Sequence, residues 1–399
     1  MRFPILGLIL VANLLLAGLG CEKTFPPAPA EAELLDGPVE GLSPEENRRF
    51  LAGDIAFNGD IFTSATGLGP LFVATSCGSC HPGDGKGHPS NALIRFGQWD
   101  DTGNQYLHLG GPQLQHRALP GFSPEQFPAG APFTRLVPPA NTGLGLLELV
   151  PDAELLALAD PDDADGDGIS GRPNWVLLPG YLQPRPGAVS AGGRYIGRFG
   201  KKAAVYDLLQ QTANAYNQDM GITSTYAPVD TWSGAAVDPE VSNQTVEDVV
   251  FYLRTLKAPL RRGAGAATVA AGALVFEQTG CAACHSPTLR TGPSPISALA
   301  NREISPYTDL LLHDMGPELD DGYTEGSAAT AEWRTPPLWG LGLSKNSQGG
   351  QYYLLHDGRA TSLEAAILLH GGEGGGSRER YKALSAAEKT QLIAFLESL

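Results

Sequence analysis

The chain has 399 residues, of which 42% are hydrophobic, and its 27 Lys and Arg stand against 43 Asp and Glu for a formal net charge of -16. That length and apolar content support two or three domains with cores of their own and exclude a disordered polypeptide. The acidity argues against nucleic acid or an anionic membrane surface as a partner of the folded part and favours a basic protein. Abundant Gly (50) and Pro (32) point to compact helices joined by long ordered loops.

The chain opens with MRFPILGLILVANLLLAGLGC, one Arg before an apolar run that ends in small residues and a cysteine. This is the layout of an export signal over residues 1–20. The run from Ile5 to Leu19 is short for a membrane span. Gly20-Cys21 matches a lipoprotein cleavage site, with Cys21 as the lipidated mature N-terminus, although Gly18 stands where such sites usually carry Leu. Cleavage nearby by an ordinary signal peptidase is the alternative. Residues 21–44, rich in Pro, Ala and Glu, read as a flexible tether. The protein then touches a membrane only through this anchor, as an outer-membrane lipoprotein of the periplasm or cell envelope.

Ser43 opens the first predicted helix, as N-cap before Pro44, with Glu46 closing a capping box. The unit Cys77-Gly-Ser-Cys80-His81 follows. Residues from about 97 to 245 show no repeat and read as an insertion of loops and short helices with a short hairpin. Val246, Val249, Val250, Leu253 and Leu256 then recur at helical spacing and stop before Pro259, closing a first domain over 45–260. The same grammar repeats at about half the length over 261–399. A helix across Ala264 to Gly280 runs into Cys281-Ala-Ala-Cys284-His285, and a helix capped by Ser385 ends the chain. The expected fold is mainly α: two cytochrome c-like domains, in each of which the helix before the cysteines packs across the closing helix.

Set Cys21 aside, and the remaining four of the five cysteines form two identical Cys-x-x-Cys-His units with none left for a disulfide. Two thiols at this spacing match the vinyl groups on one edge of a haem, and the next His turns beneath the iron. The expected cofactors are two covalently bound haem c groups, on Cys77, Cys80 and His81 and on Cys281, Cys284 and His285. Zinc would want closely coupled pairs, and a redox dithiol has no use for the His.

Several segments, GLGPLF, DADGDGISGRPN, GRFGKKA, QDMGIT, YTDLLLHDMGPELDDG, EWRTPPLWGLG and LLHDGRATSLEAAILLHGGEG, together with the second cysteine unit, resemble the dihaem oxidoreductase family. That family is related to the bacterial dihaem cytochrome c peroxidases. The resemblance implies an oxidoreductase that reduces peroxide with electrons from a small carrier protein, of cytochrome or cupredoxin type, entering through the C-terminal haem. In the dihaem peroxidases a Met directly before His-Asp-Gly ligates the electron-donating haem; here that place is Leu355, which cannot bind iron.

Only Met220 and Met315 remain beyond Met1, both in polar, glycine-bordered loops rather than on apolar helical faces. Met315, thirty residues after His285, is assigned to the second haem, where a thioether raises the potential. Met220 is the first candidate for the other iron, against His88 and His108. His313, His356 and His370 lie in family segments and read as pocket residues. Arg198, Arg334 and Arg359 are candidates for the haem propionates, with surface salt bridges as the alternative. Trp333 and Trp339 could pack against the haems or in the core. Glu373 is the candidate acid-base group at the open iron. Asp163, Asp165 and Asp167 alternate as in the start of a calcium loop, with Asp162 and Asn174 as further oxygen donors; a solvated acidic turn is the alternative. A non-catalytic electron-transfer protein, or an oxidase of a protein or metal-ion substrate, would use the same haem pair.

Overall fold

The computed structural model describes residues 29–100 and 103–399; the export signal and Cys21 lie outside them. The structure is 33% helix and 12% strand. Residues 29–34 carry one helical turn at Glu31–Glu33 and stand apart from residues 35–399, which form a single compact body. The boundary expected at 260/261 falls inside that body. Among the described residues no helix is long and apolar enough to cross a membrane.

Helix α1 (Pro44–Asp54) begins with the predicted capping box: the Glu46 N–H donates to Ser43 Oγ (3.2 Å), and the Ser43 N–H donates to the Glu46 carboxylate (2.7 Å). The insertion contributes three short helices, α2 (Leu144–Glu148), α3 (Asp152–Leu158) and α4 (Leu208–Asn214). It also holds a small antiparallel sheet in the order Trp175–Val176, Arg194–Ile196, Ser190–Ala191. α5 (Asn243–Thr255) and α6 (Ala267–Gln278) follow. The C-terminal part adds α7 (Ser344–Ser347), α8 (Leu363–Leu368), α9 (Gly375–Ala383) and α10 (Ala386–Ser398), the last again with a capping box, between Ser385 and Glu388.

The two halves share one device. α1 crosses α5 at Gly53, where a Cβ would stand 2.1 Å from the Asp248 carbonyl oxygen, and α6 crosses α10 at Gly272, where it would stand 2.0 Å from that of Gln391. Only a residue without a side chain lets the backbones approach so closely. Each crossing is walled by apolar side chains, at the first including Val246, Val249, Val250 and Leu253 read from the sequence. Phe50, Phe57, Val246, Val249, Val250 and Leu253 pack at the first, and Val269, Val275, Phe276, Leu392, Phe395 and Leu396 at the second. Each such buried side chain contributes roughly 1.5–3 kcal/mol.

A third core explains why one body results. Leu146, Leu147, Leu155 and Ile196 of the insertion pack with Leu289, Leu299, Leu310, Leu311 and Trp339 of the C-terminal half. Part of the stretch expected as a tether over residues 21–44 is docked. Val39 N–H donates to Thr255 O (2.7 Å), Lys257 N–H donates to Gly37 O (3.0 Å), and Leu35 and Val39 are buried. Two apolar side chains in an otherwise Pro, Ala and Glu stretch give the backbone a reason to dock on the end of α5.

Candidate haem-binding cavity

A single cavity of about 460 Å³ reaches both Cys-x-x-Cys-His units. Around the first, Cys77, Cys80 and His81 line it with Phe57, Leu147 and Val249; around the second, Cys281, Cys284 and His285 line it with Phe276, Leu363 and Ile367. α6 delivers its unit through Gly280, whose left-handed backbone (φ 76°) ends the helix and turns the chain into the short Cys281–Ala283 turn.

The two histidines are held alike. His81 Nδ1 lies 2.9 Å from Pro139 O, and His285 Nδ1 lies 3.0 Å from Tyr307 O. A carbonyl oxygen only accepts, so Nδ1 carries the proton and the Nε2 lone pair is free for a metal. Burial, partly offset by those bonds, pulls both imidazoles down to about 4. They are therefore neutral at physiological pH, as an iron ligand must be. The four cysteines are free thiols, and burial pushes Cys77 up to about 12, Cys80 up to about 11, and Cys281 and Cys284 also upward.

Among the described residues the one cysteine that joins a group able to hold a metal ion is Cys284, with Asp309 and His313, and no group gathers both cysteines of a unit. Paired thiols, a neutral imidazole beside each pair and an apolar wall fit haem in both places. The wall also carries three cations that have no carboxylate partner among the described residues, Lys86, Lys201 and Arg334. Arg334 is placed by the two-stranded ribbon of Leu312–Asp314 and Glu332–Arg334, which sets Leu312 opposite Arg334 and His313 opposite Trp333. Lys86 and Lys201 went unnoticed in the sequence. Their only signal is a lysine in a glycine-rich loop (GDGKG) and the first of two lysines in GRFGKKA.

Other predicted residues fall elsewhere. Arg198 is 1% exposed and bonded to Asp152 and Leu147 O, so its charge is spent inside the insertion and it does not line the cavity. Arg359 bonds Asp357 (2.6 Å) and Glu318 O (2.7 Å) near the surface, also away from the cavity. His88 accepts from Ser90 N–H and meets the Tyr353 ring, His108 is exposed against Gln105 O, and neither lines the cavity. Asn174 is buried and fully used by Lys202 O, Glu325 O and Ser327, so it offers nothing to calcium. In the acidic loop the carboxylates of Asp160, Asp163 and Asp165 come within reach of one another, and Asp167 stands outside that group.

Met220 and Met315 both line the cavity. Met220 is buried in the first core, against which Cys77 packs, and Met315 packs with Leu355 against Leu136, Leu319 and Trp333. Met315 and the leucine that occupies the usual ligand place thus share one apolar cluster. His370 lines the cavity with Nδ1 bonded to Ala366 O (2.7 Å), the same tautomer as His81 and His285. His356 stacks on Trp333 (3.7 Å between centroids, 4° between planes), and Trp333 and Trp339 line the cavity.

Glu373 faces the cavity at the C-terminal cysteine unit rather than the N-terminal one. It accepts from Ser170 Oγ (2.7 Å), Ser170 N–H, Asp314 N–H and His313 Nδ1 (2.6 Å). His313 Nε2 bonds Asp309 (2.8 Å), and its Nδ1 lies 3.5 Å from Cys284 Sγ. Burial opposes a charge on His313, but the bonds to Asp309, Cys284 and Glu373 outweigh it and push the imidazole up to about 12. Burial would raise Glu373, yet the bonds from His313, Ser170 and Asp314 hold it below the usual glutamate range. Glu373 is therefore a carboxylate held in place by four hydrogen bonds and set against His313.

Two such units opening on one cavity define a dihaem redox protein. The chain belongs to the family described as "Di-haem oxidoreductase, putative peroxidase", whose model matches residues 135–399 and so takes in the second unit. No curated protein matches the sequence. Among solved structures, it is similar to hydrazine synthase of Kuenenia stuttgartiensis at 15% identity, over 94% of this chain and 98% of that one, with a TM-score of 0.40. A MauG-like protein associated with microbial copper homeostasis is also similar at 15% identity, over 94% of each chain, with a TM-score of 0.41.

Proposed function

We propose that this is an exported, lipid-anchored dihaem c-type oxidoreductase that reduces peroxide with electrons from a small carrier protein. The observation that carries the reading is the pair of neutral imidazoles, each beside two free thiols, opening on one cavity. Haem bound there would supply one-electron redox chemistry and an iron position at which a peroxide oxygen could be reduced. The chain's own residues do the rest. The cysteines would anchor the macrocycles, the carbonyls of Pro139 and Tyr307 orient the ligating rings, and the apolar wall excludes water. Met315 would hold the iron of the C-terminal haem through its thioether, which would raise that haem's potential and make it the electron-accepting one. The acidic loop of Asp160, Asp163 and Asp165 is assigned to calcium; calorimetric titration of chelator-treated protein should show binding, and its absence would reject the assignment.

A second reading, a non-catalytic electron relay, draws on the presence of both Met220 and Met315 on the cavity wall, two thioethers suited to closing both irons. Electron paramagnetic resonance of the oxidised and half-reduced protein separates the two. A high-spin signal from one haem supports the peroxidase, and two low-spin signals indifferent to peroxide support the relay.

A further inference from the structure

The unpaired cations on the cavity wall come from three distant parts of the chain. Lys86 follows the first cysteine unit by a few residues and is fixed by the Ser347 hydroxyl, which donates to Lys86 O (2.8 Å). Lys201 lies in the insertion, and Arg334 ends the C-terminal ribbon. The last two are joined: Arg334 N–H donates to Lys201 O (2.9 Å), and Arg334 Nε donates to Gly200 O (2.9 Å). Among the described residues none of the three side chains forms an ion pair, although all line the cavity; Arg334 also donates to Thr335 O (3.3 Å). The other cavity cations are already satisfied, Arg95 by Glu325 (2.7 Å) and Arg378 by Glu379 (3.2 Å). Of the neighbouring Lys202, the ammonium donates to three carbonyls, Ala329, Thr330 and Glu332.

Burial pulls Lys86 down to about 8, Arg334 down to about 10 and Lys201 well below the usual lysine range, with Lys86 and Arg334 both acting against Lys201. The carboxylate whose charge reaches Lys86 and Lys201 is Asp357, and it is bonded to Arg359. Like charges gathered on one half-buried cavity wall without counter-charge repel one another, so the arrangement calls for anions to complete it. The cluster also spans the two halves. Lys201 acts on His81, whereas Arg334 feels Asp309, which bonds His313 beside Cys284.

We infer that Lys86, Lys201 and Arg334 form one shared carboxylate-binding site that takes propionate groups of both haems and so couples the two redox centres electrostatically. The inference rests on the dihaem reading. It differs from the expected Arg198, Arg334 and Arg359 set in two of three members and in serving both haems at once.

The test uses the mature full-length protein with Lys201→Gln and, separately, Lys86→Gln, in spectroelectrochemical titration, after a pyridine haemochrome count of covalent haem. Loss of a cation leaves a carboxylate uncompensated and favours the ferric state of each haem it serves. Both midpoint potentials should fall by at least a tenfold change in the redox equilibrium, about 59 mV for a one-electron couple. Lys201→Arg, which keeps the charge, should leave both near wild type. Two covalent haems with neither potential moved, or only one, would overturn the shared site and leave the dihaem reading intact. A wild-type count below two would overturn the dihaem reading itself.

Discussion

Asp152→Asn should cost about 3–5 kcal/mol of stability while leaving the haem chemistry in place. Asp152 is 3% exposed and Arg198 is 1% exposed; the carboxylate is bonded by Arg198, accepts from Val189 N–H (2.9 Å) and faces Arg185 at 3.6 Å. An amide keeps the shape but removes the charge. It strands the Arg198 guanidinium, whose Nε already lacks a hydrogen-bond partner among the described residues. Breaking a buried pair from one side typically costs 3–5 kcal/mol, because the surviving charge stays buried and uncompensated. Chemical denaturation followed by far-ultraviolet circular dichroism reads the loss directly, and redox titration of the folded variant reads the haems. Since neither Asp152 nor Arg198 lines the cavity, the potentials should stay put. A variant as stable as wild type, or one whose potentials shift while its stability holds, would show that Arg198 serves the haem rather than the insertion.

Gly272→Ala should destabilise by about 1–3 kcal/mol despite the better helix propensity of Ala, because its methyl would meet the Gln391 carbonyl at 2.0 Å; thermal or urea unfolding checks it. Met315→Ala should abolish the thioether charge-transfer band of the oxidised C-terminal haem, and an unchanged spectrum would hand the position to His370. Glu373→Gln should cost about 1–3 kcal/mol by weakening its bonds with His313, Ser170 and Asp314, as measured by denaturation. Asp207 caps α4 through Gln210 N–H, and burial raises its carboxyl, with the cap bond, Glu148, Arg254 and Arg185 as smaller influences. A raised carboxyl favours the fold while protonated and costs stability once ionised. Asp207→Asn keeps a good cap. The variant should therefore gain on wild type as pH rises through the raised pKa and lose that advantage below about pH 3.9, the usual aspartate value.

The repeated plan was legible because helix caps, apolar periodicity and the Cys-x-x-Cys-His spacing are local. Ser43 with Glu46, Ser385 with Glu388 and the valines of α5 state their roles within a few residues. The glycines at the two crossings were present in the pattern, but their purpose depends on a helix more than a hundred residues away. The same holds for charge partners. Nothing near Arg198 in sequence says that Asp152 claims it, and nothing near Lys201 says that no acid does. Placing Glu373 likewise required the ribbon that brings His313 to it, and the third core, which ties the insertion to the C-terminal half, has no signature along the chain.

The most direct test of the central claim, two haems held through thioethers in one cavity, is intact-mass spectrometry of the matured protein after extraction with acidified organic solvent. The account predicts a mass increment of two haems that survives extraction, falls to one when Cys77 and Cys80 are both replaced by Ala, and falls to one when Cys281 and Cys284 are. A colourless protein, or pigment that leaves with the solvent, would contradict it.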